Sequence, residues 1–130
     1  MVDLGTTTNF EVLDADGAFA GGIIAPGLAL GARSLSEAAA RLPMIELRAP
    51  ASVIGRNTRA AMQSGVVLGE VARIDGLLGA VMGELGTDAP VIMTGDGAGA
   101  MAALLRHEAT VDDALTLRGL WHLWRANRRG

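Results

Sequence analysis

Residues 2–24 read as three short β segments joined by tight turns, and that opening commits the chain to a sheet before any helix begins. Val2 to Leu4 is short. Asn9 to Leu13 alternates polar and apolar side chains, as a strand with one buried face does. Asp14-Ala15-Asp16-Gly17 supplies hairpin-turn chemistry, and Ala18 to Ile24 reads as the returning strand. Gly21-Gly22 interrupts it in the manner of a bulge or a close backbone approach.

Pro26-Gly27 marks the switch to helix. Leu28, Leu30, Ala32, Leu35 and Ala39 predict a helix from Leu28 to Leu42, ending before Pro43. Met44 to Leu47 reads as a short strand. Asn57-Thr58 stands where a cap belongs, ahead of a long helix from about Arg59 to Leu85. Ala61, Gly65 and Gly69 fall at four-residue spacing and leave one face of it nearly smooth, which suits close approach by another helix within the subunit or across a dimer. Glu70, Arg73, Asp75 and Glu84 on the same helix argue against a membrane span. Pro90 to Thr94 reads as a buried strand, and Gly95-Asp96-Gly97 leads into a helix at about Ala98 to Arg106. Leu115 to Asn127 forms a last amphipathic helix carrying Trp121 and Trp124, which read as core or interface packing. The order β-β-β-α-(β)-α-β-α-α predicts one α/β domain with a mixed sheet over residues 1–130, without an internal repeat or a linker.

Composition narrows the chemistry. Half the residues are hydrophobic and 19% are charged, so the chain is globular. A net charge of −3 and 3% aromatics give neither the basic footprint nor the stacking platform of a nucleic-acid binder. All eleven basic residues are Arg, so a phosphate-binding or Schiff-base lysine is excluded. The absence of Cys removes thiol nucleophiles, disulfides and cysteine metal sites. His107 and His122 have no second His at metal-ligand spacing. The first residues lack a signal-peptide layout and no apolar run reaches spanning length, so a cytoplasmic protein that binds no membrane is the expectation.

Four strings could carry chemistry. Asp3-Leu4-Gly5-Thr6-Thr7-Thr8 lies between two strands: glycine lets backbone N–H groups face an anion, hydroxyls add donors, and an Asp at a strand end can hold a cation. A hydroxyl-rich β-turn is its plain reading. Gly21-Gly22-Ile23-Ile24-Ala25-Pro26-Gly27 reads either as a backbone-lined pocket edge or as punctuation between strand and helix. In Ile54-Gly55-Arg56-Asn57-Thr58, the guanidinium and the helix start suit a carboxylate or phosphate, and equally an ordinary capped helix. Thr94-Gly95-Asp96-Gly97 follows an apolar strand and opens a helix, a usual place for a nucleotide and also a plain turn.

In this order, and joined by Leu42-Pro43, Ala61-Met62-Gln63-Ser64-Gly65 and Asp113-Ala114-Leu115-Thr116-Leu117-Arg118-Gly119-Leu120, the strings resemble the C-terminal half of a type III pantothenate kinase. The resemblance runs from Val2 to about Asn127. It implies a single actin-like (ribonuclease H-like) half-domain, β-β-β-α-β-α with an extra C-terminal helix. It further implies a part in ATP-dependent phosphorylation of pantothenate, the first step of coenzyme A synthesis, with Mg²⁺ and a monovalent cation (K⁺ or NH₄⁺). By resemblance Asp3 is the monovalent-cation ligand, and Gly5, Thr6, Thr8, Thr94 and Gly95 meet ATP. Thr58 and Asn57 meet pantothenate.

The family's D-x-G-N-T loop and its G-x-D-R segment, whose Asp is the general base, belong to the other half and are not in this sequence. Thr7, Asn9 and Asp96 stand where the family usually has Ala, Thr and Gly. The expectation is a half-subunit inactive alone, with an N-terminal-half partner chain and oligomer formation through the Gly-rich long helix. A non-catalytic homodimeric binding or regulatory relative, or a truncated kinase, is the alternative.

Overall fold

A computed structural model of the chain describes residues 1–39 and 42–128. Strands β1 (Val2–Leu4), β2 (Thr7–Leu13) and β3 (Phe19–Pro26) form an antiparallel meander. Asp14 Oδ1 builds the hairpin turn by accepting the amides of Asp16 (3.0 Å) and Ala18 (2.9 Å). Helix α1 (Leu28–Ala38) follows, then α2 (Thr58–Gln63), a π turn (Ser64–Leu68) and α3 (Gly69–Leu85) run on as one rod. Strand β4 (Val91–Gly95), α4 (Ala98–Ala102), β5 (Ala109–Val111) and α5 (Leu115–Asn127) complete the chain.

The sheet order is β3-β2-β1-β4-β5, with β1, β4 and β5 mutually parallel. This is the mixed sheet the element order predicts. Val2, Leu4, Phe10, Val91 and Met93 point to one face and pack on Ile74 and Leu78 of α3 and on Ala98 and Met101 of α4. Asp3, Asn9 and Glu11 alternate with them and face the other way. No helix among the described residues is long and apolar enough to cross a membrane.

Four local readings change. The helix after Pro26 stops at Ala38, where Ala39 turns extended; Ala40 and Arg41 lie outside the described residues. Met44–Leu47 is not a strand. The Met44 carbonyl accepts from Arg59 and the Glu46 carbonyl from Gln63, so side chains of α2 take the bonds that a neighbouring strand would have taken. The helix after Gly97 ends at Ala102 rather than Arg106, because Asp75 captures the amides of Arg106 (3.0 Å) and His107 (3.2 Å). Finally, β5 adds an edge strand of three residues, too short to display alternation.

Candidate functional site

Because β1 and β4 are parallel neighbours, their C-terminal ends open the same way, toward two glycine turns and a cleft. The cleft is a cavity of about 620 Å³. Its lining brings together Gly5, Thr6 and Thr8 with Asp96 and Gly97, Arg33 and Arg48, and Val67 and Glu70.

Backbone contacts lock both turns. The Gly5 amide donates to Thr7 O (3.0 Å), and the Gly27 amide donates to Thr6 O (3.0 Å). A Cβ on Gly27 would overlap the Gly5 carbonyl oxygen and lie 2.6 Å from that of Thr6, so only glycine lets α1 begin against this turn. On the β4 side, the Asp96 amide donates to Leu4 O (2.7 Å). Gly95 has φ +91°, and a Cβ there would overlap Leu4 O and sit 2.7 Å from Asp3 Oδ1. The two turns are therefore one rigid lip, and glycine is required on both sides of it.

The three threonines diverge. Thr6 is exposed at the cleft mouth and Thr7 is partly exposed. Thr8 is 1% exposed, and its hydroxyl donates to Glu70 Oε1 at 2.6 Å. Glu70 pairs with Arg73 one turn along α3, and Arg73 also donates to the Pro26 carbonyl. Glu70 and Arg73 were not foreseen as site residues. The signal was present: Glu70 falls on the buried stripe of Ile74 and Leu78, four and eight residues on, where a charge needs a partner.

Asp3 takes no part in the cleft lining. In register it pairs with Asn9 on β2 and Thr94 on β4, so Asp3, Asn9, Thr94 and Gly95 gather where the three strands meet. Asn9 Oδ1 is buried there without a hydrogen-bond partner. Among the described residues, no group of three His, Cys, Asp or Glu side chains is placed to hold a metal ion.

Asn57 and Thr58 stand apart from both groups. Asn57 Oδ1 caps α2 by accepting the Ala60 amide at 2.9 Å, as its position predicts, and Thr58 is exposed at the first turn. Neither lines the cleft. At the far side of α3, His107 Nδ1 lies 2.8 Å from Asp75 Oδ1. Burial works to raise the Asp75 carboxyl, but the His107 ring and the amides of Arg106 and His107 outweigh it and hold the carboxyl below its ordinary value.

The family model described as type III pantothenate kinase matches residues 1–80. A type III pantothenate kinase of Thermomicrobium roseum is 48% identical over 92% of this chain and 46% of its own length. That of Hyphomonas neptunium is 43% identical over 98% of this chain and 50% of its own. The chain thus spans about half the length of the curated relatives it matches. A crystal structure from Campylobacter jejuni, described as a Baf family transcriptional activator, superposes with a TM-score of 0.68 over 99% of this chain and 58% of that one. At 21% identity, that likeness is one of fold.

Proposed function

The chain belongs to the type III pantothenate kinase family, and from that premise we propose that it forms one wall of a kinase cleft that phosphorylates pantothenate from ATP. The observation that carries this reading is the locked double turn at the C-terminal ends of β1 and β4, opening on a cavity whose lining holds two guanidiniums. Phosphoryl transfer is driven mainly by positioning and charge stabilisation. In this reading Gly5 and Thr6 receive the phosphates, Arg33 and Arg48 offset their charge, and the Thr94–Gly97 turn lies beside the adenosine. Thr58 and Asn57 reach pantothenate when the other wall closes over α2.

The residues near Asp3 fit a monovalent cation such as K⁺ or NH₄⁺. The Asp3 carboxylate and the partnerless Asn9 oxygen are hard donors on adjacent strands. Magnesium carried in with ATP would supply charge neutralisation for the triphosphate.

The other wall comes from a second polypeptide segment bearing D-x-G-N-T and G-x-D-R. Two facts support this: the relatives are about twice as long, and α5 has no buried residue while exposing Leu117, Leu120, Trp121, Leu123 and Trp124. A second copy of the chain pairs through the open glycine face of the rod, where a Cβ added at Gly65, Gly69 or Gly76 would meet nothing within 4 Å beyond the helix itself. One observation favours a non-catalytic binding relative instead, namely the carboxylate of Asp96 on the cleft wall.

Co-expression with a segment carrying the two missing strings decides between them. ATP-dependent formation of phosphopantothenate by the pair is the expected result. Nucleotide binding without turnover in every pairing would favour the non-catalytic relative.

A further inference from the structure

Behind the cleft, four polar contacts close a circuit. Thr8 Oγ1 donates to Glu70 Oε1 (2.6 Å), Glu70 Oε2 pairs with Arg73 Nη2, and Arg73 Nη2 donates to Pro26 O. The next residue, Gly27, then donates its amide to Thr6 O (3.0 Å). The circuit starts on β2 just after the Gly5–Thr6 turn and returns to that same turn through β3. Its middle is an ion pair whose carboxylate side chain is 4% exposed.

An ion pair between a buried carboxylate and a guanidinium that is 33% exposed adds little net stability, since desolvation of the acid and solvent screening of the base offset the attraction. What it does supply is fixed geometry. One guanidinium nitrogen, Nη2, meets the carboxylate and the Pro26 carbonyl together, whereas lysine would bring the charge to that point on a more flexible stem. The apolar stripe of the rod admits Glu70 only because both carboxylate oxygens are used.

We infer that Glu70 and Arg73 are positioning residues for the Gly5–Thr6 turn, holding it from two sides through Thr8 and through Pro26–Gly27. The inference rests on the reading of that turn as the phosphate-receiving element. It adds the means by which the turn keeps its shape before a ligand arrives. It also assigns the buried pair a local task, distinct from holding the rod to the sheet.

Arg73→Met alone would strand a buried carboxylate, so the principal variant is the double change Glu70→Gln/Arg73→Met in the full chain. The glutamine still accepts from Thr8, and no charge is orphaned. Amide hydrogen exchange, measured without nucleotide, is expected to quicken about tenfold or more at Gly5 and Gly27. The amides of Arg106 and His107, held by Asp75 at the other side of α3, should keep their rates. Arg73→Lys should fall between the variant and the wild type.

Unchanged rates at Gly5 and Gly27 would overturn the inference, and so would an equal rise at all four amides, which marks general loosening. Calorimetry with Mg·ATP is the companion measurement, in which the double variant should bind about fivefold more weakly than the wild type. A wild type that fails to bind Mg·ATP would sink the nucleotide reading, and the exchange pattern would still decide the positioning role.

Discussion

The two ends of the sheet each carry a cavity, and they differ in everything except size. The one at the N-terminal end of β4 is the larger, about 690 Å³ against about 620 Å³. Its charged side chains are all acidic, Glu11, Asp14 and Asp88, with the Met1 ammonium as the one cation among its lining residues. The cleft at the other end has Arg33 and Arg48, the latter paired with Glu46, beside the carboxylate of Asp96 and a buried Glu70 that pairs with Arg73. Volume does not identify the anion site here. Strand direction is what favours the smaller cleft in the proposed reading, because parallel β1 and β4 deliver both glycine turns to the same end.

The contrast is most exposed to test at glycine. Gly95→Ala places a Cβ on Leu4 O at a positive φ, and is expected to cost about 3 kcal/mol or more, a large fraction of the total stability of a small domain. Gly17→Ala, in the hairpin turn of the opposite end, has a positive φ but open space around it and should cost about 1 kcal/mol. Urea unfolding followed by circular dichroism measures both, and equal costs would dissolve the distinction between the two ends.

Next in size is the charge difference. Removing both guanidiniums with Arg33→Gln/Arg48→Gln should weaken Mg·ATP binding about tenfold and flatten its salt dependence, while Glu11→Gln in the other cavity should leave both unchanged. Calorimetry at two ionic strengths reads this directly.

A smaller effect belongs to Asp75. Its carboxyl is held below the ordinary value in the fold, so its stabilisation is complete above the unfolded value of about 4 and fades as pH falls through the lower folded value. Thermal midpoints of the wild type should therefore drop below about pH 4 more steeply than those of Asp75→Asn. Smallest of all, Trp121→Ala and Trp124→Ala should change the stability of the isolated chain by no more than about 0.5 kcal/mol, because neither ring is buried in it.

Much of the scaffold was legible from local chemistry. The Asp-Gly hairpin, the Asn57 cap and the span of α5 follow from turn residues, a side-chain acceptor and helical period. The glycine strings marked both turns of the cleft. What stayed hidden depends on partners distant in sequence. Thr8 was read with Thr6 as a ligand contact, yet its hydroxyl is bound to a residue 62 positions away. The π turn at Ser64–Leu68 leaves no trace in composition. The false strand at Met44–Leu47 arose because its carbonyls are satisfied by side chains fifteen and seventeen residues on.

Both tryptophans of the chain lie on α5 and there is no tyrosine, so its intrinsic fluorescence is the emission of one solvent-facing helix. Arg125 and Arg128 sit 4.6 Å over the two rings. Emission from such rings is nearly blind to melting of the core. It will instead shift to the blue when a second surface dries them, which gives the docking of any partner on this helix an unlabelled optical signature.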